Sequence, residues 1–164
     1  MKSIKEFLIE EEFVLIGSGL FSKTLIDHYG VPIVDILAKR GAISNTWDLS
    51  VLSKELFIND TIWGNWIRTV DEFKQIYNRN IAIFLFLIDH DFHLDTETRD
   101  QLVWKGGLGK EEITMNYRGD FWMCCIKDYS GAVVDYCRDV KSFGKFKQFL
   151  KDYNMLDLFL DNED

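Results

Sequence analysis

Ile81-Ala82-Ile83-Phe84-Leu85-Phe86-Leu87-Ile88 is the longest apolar run in the chain, and how it is read decides the rest. The run is less than half of the roughly 20 residues that a helix needs to cross a bilayer. Its composition matches a strand buried on both faces. Asn78-Arg79-Asn80 precedes it as a change of character from the helical pattern upstream. The run then becomes the central strand of a sheet whose other members lie downstream. Glu111 to Tyr117, Phe121 to Lys127 and Ala132 to Cys137 have strand composition. Arg118-Gly119-Asp120 and Asp128-Tyr129-Ser130-Gly131 separate them, so they read as consecutive antiparallel hairpins.

Upstream of the run, helix signals prevail. Ser3-Ile4-Lys5-Glu6 forms a capping box before Phe7, Leu8 and Ile9, and Thr69-Val70-Asp71-Glu72 forms another before Phe73, Ile76 and Tyr77. Between them, Leu20, Phe21, Leu25 and Ile26 recur at helical spacing, and Pro32 suits a first turn ahead of Ile33, Ile36 and Leu37. A further helix is expected from about Leu49 to Phe57 behind an Asp48 or Ser50 cap, whereas Phe13 to Ile16 fits a helix end or a small strand equally well. Ser142 caps a final amphipathic helix carrying Phe143, Phe146, Phe149, Leu150 and Tyr153. The expected architecture is a single α+β domain over residues 1–164. Its mainly helical N-terminal half packs on an antiparallel sheet from the C-terminal half, with the amphipathic helix last.

An apolar fraction of 47%, including 13 Phe, 6 Tyr and 5 Trp, is ample for a close-packed core. The opening Met1-Lys2-Ser3-Ile4 leads into no secretory signal, so a cytoplasmic protein without a membrane segment is expected. Cys124, Cys125 and Cys137 form no Cys-x-x-Cys pair and read as reduced core residues. The net charge of −8 speaks against nucleic acid as a direct ligand. Most of it falls late: residues 1–80 carry 9 basic and 11 acidic side chains, and residues 81–164 carry 10 and 16.

Directly after the apolar run stands Asp89-His90-Asp91-Phe92-His93-Leu94-Asp95. If the strand continues, Asp89, Asp91, His93 and Asp95 share one face. Three carboxylates beside an imidazole are able to hold a metal or tune an acid–base pair, which makes a small metal-dependent hydrolase one alternative. Glu97 and Asp100 extend the run into a solvated acidic surface, and Trp104 beside a glycine-rich loop is an aromatic anchor for a partner. The plain reading of the run is a strand that leaves the core and enters a solvated acidic loop; of the functional readings, partner binding is preferred, with no metal and no cofactor. A second alternative is a nucleotide site at Gly17-Ser18-Gly19, where a strand, a glycine turn and a helix would present backbone N–H groups to phosphate. Ser22 stands where the dinucleotide fingerprint needs its third glycine, and no Gly-Lys-Ser/Thr follows. Lys105-Gly106-Gly107-Leu108-Gly109-Lys110 likewise lacks the Ser or Thr of a phosphate loop and reads as a connection. Trp63 and Trp66 would share a face if helical; of the five tryptophans, Trp47, Trp63, Trp66, Trp104 and Trp122, most are core residues and one or two are expected at a partner surface.

With its Asp89–Asp100 acidic run, its Glu111–Cys137 hairpins and its acidic tail, the chain resembles the immunity proteins of bacterial contact-dependent growth inhibition and related polymorphic toxin systems. The resemblance is one of type, without a motif matched residue by residue. It implies a non-enzymatic inhibitor that binds a cognate cationic toxin, for example a nuclease. Docking would use the acidic face or lend an edge strand to a toxin segment.

Overall fold

A computed structural model describes residues 2–42, 45–53, 61–94, 103–106, 111–118, 121–128 and 134–155. The chain forms two compact units, Met1–Asn78 and Arg79–Asp164, and the boundary falls inside a helix. Both sheets are five-stranded antiparallel meanders in which every strand pairs with its neighbours in sequence.

Unit 1 opens with α1 (Ile4–Glu10), where the Ser3 hydroxyl accepts the Glu6 amide as expected. Five strands follow in the order β1 (Val14–Gly17), β2 (Leu20–Ile26), β3 (Pro32–Arg40), β4 (Trp47–Ser53) and β5 (Thr61–Ile67). This overturns the helical N-terminal half. The segments read as helices around Leu20–Ile26, Ile33–Leu37 and Leu49 onward are β2, β3 and β4. The reason is arithmetic: Phe21/Leu25 and Ile33/Leu37 are four residues apart, a spacing shared by a helix face and by a strand face of period two. β4 shows which period holds, with Trp47, Leu49, Val51 and Ser53 buried in strict alternation. His28 lies in the β2–β3 turn, where the Asp27 carboxylate accepts the Tyr29 and Val31 amides.

The second correction concerns the opening stretch itself. Ile81–Ile88 is not a strand but the second half of α2 (Val70–Asp89), which begins at the Thr69 capping box, where Thr69 Oγ1 accepts the Glu72 amide at 3.2 Å. Asn78-Arg79-Asn80 contains neither Pro nor Gly and does not stop it. The run is buried on nearly all sides, Leu85 being the exposed member, and a helix hydrophobic all round reads locally like an interior strand.

Within unit 1, Phe7 and Phe13 meet Tyr77 edge-on at 5.6 and 5.7 Å, and Lys23 donates to the Tyr77 hydroxyl at 2.9 Å. In unit 2, β6 (His93–Leu94), β7 (Val103–Gly106), β8 (Glu111–Tyr117), β9 (Trp122–Asp128) and β10 (Val134–Val140) form the second meander, followed by α3 (Phe143–Asp152). The three late hairpin strands and the Ser142-capped helix stand close to where the sequence places them. Phe84 fills the centre of this unit against Trp104 and Trp122, and the Trp122 indole N–H donates to Asn80 Oδ1 at 3.0 Å. Gly106 is required on β7, because a Cβ there would stand 2.6 Å from the Phe92 ring.

The three helices among the described residues stop in the same way. Glu12, Asp91 and Asn154 adopt left-handed φ of 67°, 60° and 58°. The next amides, of Phe13, Phe92 and Met155, bond back to the carbonyls of Leu8, Leu87 and Leu150. Each is a Schellman stop whose flanking apolar pair is buried. A glutamate in this conformation is disfavoured by about 1–2 kcal/mol. Glu12→Gly is therefore expected to raise stability by roughly 1 kcal/mol, once the entropy of the added glycine is offset, in urea unfolding. A loss of stability would contradict this account of the stop.

Candidate functional site

The acidic cluster does not assemble as a strand face. Asp89 is the last residue of α2, Asp91 is the left-handed residue of the helix stop, and His93 begins β6. All three are exposed, on three different kinds of backbone, and the helix stop accounts for the position of Asp91. Asp95, Glu97 and Asp100 lie outside the described residues. Trp104 is fully buried against Phe84 and offers no surface anchor, because β7 directs it into the core of unit 2. Among the described residues, no group of three His, Cys, Asp or Glu side chains is placed to hold a metal ion.

The nucleotide reading of Gly17-Ser18-Gly19 fails on geometry. The strand before it is real, but β2 follows instead of a helix, so Ser18-Gly19 is a hairpin turn with Gly19 at φ 63°. Its amides face no helix axis, and the phosphate cradle is not formed. The glycine stretch after Lys105 ends β7 at Gly106, and residues 107–110 lie outside the described set.

The cysteines are corrected as well. Cys125 on β9 and Cys137 on β10 are direct cross-strand partners joined by a disulfide, with Cα atoms 4.1 Å apart. Cys124 points the other way, is buried and free, and burial pushes its thiol well above the ordinary range. It is thereby held as an unreactive thiol.

What the fold does bring to the surface lies in unit 1. Nine of the eleven exposed large apolar side chains among the described residues belong to it. Three are consecutive on β1: Val14, Leu15 and Ile16 are 63%, 59% and 57% exposed. β1 is an edge of its sheet, paired only with β2 among the described residues. Leu15 lines a cleft of about 790 Å³, while Val14 and Ile16 line a shallower one of about 310 Å³. Both sides of this short strand are thus open. Soluble proteins usually blunt such an edge with charge, Pro or a covering element, and β1 itself carries no charge.

The opposite edge, β5, presents a second apolar feature. Between the pairs Leu49↔Gly64 and Trp47↔Ile67, β5 spends one more residue than β4, a bulge. Trp66 sits in that bulge at φ 59° and is 72% exposed. Asp48 fixes the distortion by accepting the Trp66 amide at 3.0 Å. A bulky residue held left-handed with its indole in solvent is costly, and such distortions concentrate at functional positions. Trp63 points inward and is buried, so the two tryptophans do not share a face.

The sequence held a signal for β1 that composition obscured. Four residues of Phe-Val-Leu-Ile followed by a Gly-Ser-Gly turn are the first arm of a hairpin, and a hairpin at the start of a sheet is an edge. Trp66 carried no comparable signal, because a bulge shifts which residues face outward without a mark in the pattern. No helix among the described residues is long and apolar enough to cross a membrane. No protein-family model matches the chain, and neither curated proteins nor solved structures provide a match.

Proposed function

We propose that this protein is a non-enzymatic binding module that captures an extended segment of a protein partner along β1, in the manner of an immunity protein neutralising a toxin. The observation that carries the reading is the run Val14-Leu15-Ile16, exposed on both sides of a sheet edge that no further described strand pairs with. Main-chain hydrogen bonds from an added strand supply affinity there, and a side chain entering the cleft lined by Glu12, Val14 and Ile16 supplies selectivity. Trp66 on the other edge has the character of an aromatic anchor, the residue type most enriched among binding hot spots.

The acidic character keeps a part in the proposal. A net charge of −8, with Asp89 and Asp91 exposed at the end of α2, steers a cationic partner toward the molecule. Steering acts on the association rate and its salt dependence, whereas docking on the edge sets the lifetime of the complex. Charge and apolar contact therefore separate kinetically.

The test captures the partner from the native host by pull-down with the full chain and then measures binding to it by calorimetry and stopped flow. Val14→Lys/Ile16→Lys is expected to weaken binding by roughly 100-fold or more, through faster dissociation. Asp89→Lys/Asp91→Lys is expected to slow association at low salt by about tenfold and to change dissociation little. Undiminished affinity in the β1 variant would remove the edge as the docking site.

A further inference from the structure

The cleft on the Leu15 side of β1 has a charge opposite to that of the molecule. Its rim carries Lys2, Lys5, Arg40 and Arg68 against one carboxylate, Asp71, in a chain whose net charge is −8. Lys2 is already engaged by Glu10 at 2.8 Å, and the Arg40 guanidinium donates to Asn45 Oδ1 at 3.0 Å. Lys5 and Arg68 form no ion pair with another described residue, and both are exposed. The positive end of α2 adds to this field, since Thr69 and Val70 also line the cleft.

Inside the rim the lining is apolar. Phe21 and Trp47 contact each other at 5.9 Å between ring centroids, and both line the cleft. Leu15 and Ile4 add aliphatic surface. At about 790 Å³ the space falls in the usual range of sites for small organic ligands, roughly 300–1,000 Å³. A ligand matching this arrangement has an anionic head for the cationic rim and an apolar body for the floor. A nucleotide fits less well, because a base needs several polar groups to read its edge, and Ser3, Asn45 and Thr69 stand among mostly apolar side chains.

We propose that this cleft binds an amphipathic organic anion, an acyl chain ending in a carboxylate. The head lies between Lys5, Arg68 and Arg40, and the chain lies over Phe21 and Trp47.

The experiment is isothermal titration of the full chain with decanoate, decanol and ATP, each below its aggregation limit. Decanoate is expected to bind saturably at one site. Decanol, which lacks the charge, is expected to bind at least about tenfold more weakly. Lys5→Gln/Arg68→Gln is expected to weaken decanoate by about tenfold or more with an unchanged circular-dichroism spectrum and melting temperature. These side chains are exposed and unpaired within the described set, so their loss leaves the fold intact; Arg40→Gln gives a third reading of the same rim. Lys145→Gln on α3 is the control and is expected to change nothing. The proposal is overturned by decanol binding as tightly as decanoate. It is equally overturned by decanoate affinity indifferent to the rim variants, or by ATP as the ligand whose affinity those variants abolish.

Discussion

Replacing Phe84 by alanine lowers the free energy of unfolding by about 3–5 kcal/mol. The ring is fully buried, 5.3 Å from Trp104 and 5.4 Å from Trp122 between centroids, and meets both edge-on. Each such pair contributes roughly 0.5–1.5 kcal/mol beyond the area that it removes from water. Trp122 cannot slide into the vacated space without giving up its 3.0 Å bond to Asn80, so the cavity stays largely open. Urea unfolding of unit 2, followed by near-ultraviolet circular dichroism, reads the loss. Phe84→Leu, which refills most of the volume, is expected to recover more than half of it. A change below about 1 kcal/mol for Phe84→Ala would show that the two indoles do not depend on this ring.

Tyr77, seven residues earlier on the same helix, gives the matching result in unit 1. Tyr77→Ala is expected to cost about 3–5 kcal/mol, since it removes the common partner of Phe7 and Phe13 and the acceptor of the Lys23 ammonium. Tyr77→Phe removes only the hydroxyl and is expected to cost about 0.5–1.5 kcal/mol. The hydroxyl also has a signature in pH. Burial pushes the Tyr77 phenol above its ordinary 10.0, and the negative charge of Glu11 adds to the shift. The folded state thus favours the neutral phenol more than the unfolded chain does. The associated stability is complete below pH 10 and declines as pH rises past that value, where the unfolded chain releases the proton and the folded one retains it. The melting temperature of the natural protein should fall toward that of Tyr77→Phe as the pH rises above 10. Parallel curves for the two proteins would contradict a buried, neutral Tyr77.

These two residues also mark where sequence reasoning succeeded and where it failed. The Thr69 box and Tyr77 were legible as helix because a cap and a 3.6-residue period coincide there. Phe84 was legible as core but not as helix, because eight apolar residues in a row carry no period at all. Only the absence of a breaker at Asn78-Arg79-Asn80 argued for continuation. β2 and β3 were lost to a spacing of four residues that both periods satisfy, and β4 to a cap signal at Asp48 that serves the β5 bulge instead. The late hairpins and α3 were read correctly, since turn residues and a Ser142 cap bracket them. The disulfide followed from that hairpin, with Cys125 and Cys137 on either side of its turn, yet the pairing becomes visible only once the register is known. At the candidate site, the charge was legible and the β1 arm was marked by its Gly-Ser-Gly turn, whereas its exposure was not, because exposure depends on which strand ends the sheet.

The meander order of both sheets bears on how quickly they form. Every strand pairs with the strand just before or after it, so most sheet contacts join residues close in sequence. Loops to be closed are short, and the entropy lost before each pairing is recovered by the next is small. Sheets dominated by distant pairings fold slowly for the opposite reason. Each meander can therefore grow hairpin by hairpin from its helix as the chain leaves the ribosome, leaving an uncovered strand such as β1 exposed to misassociation only briefly before its own partner, β2, arrives.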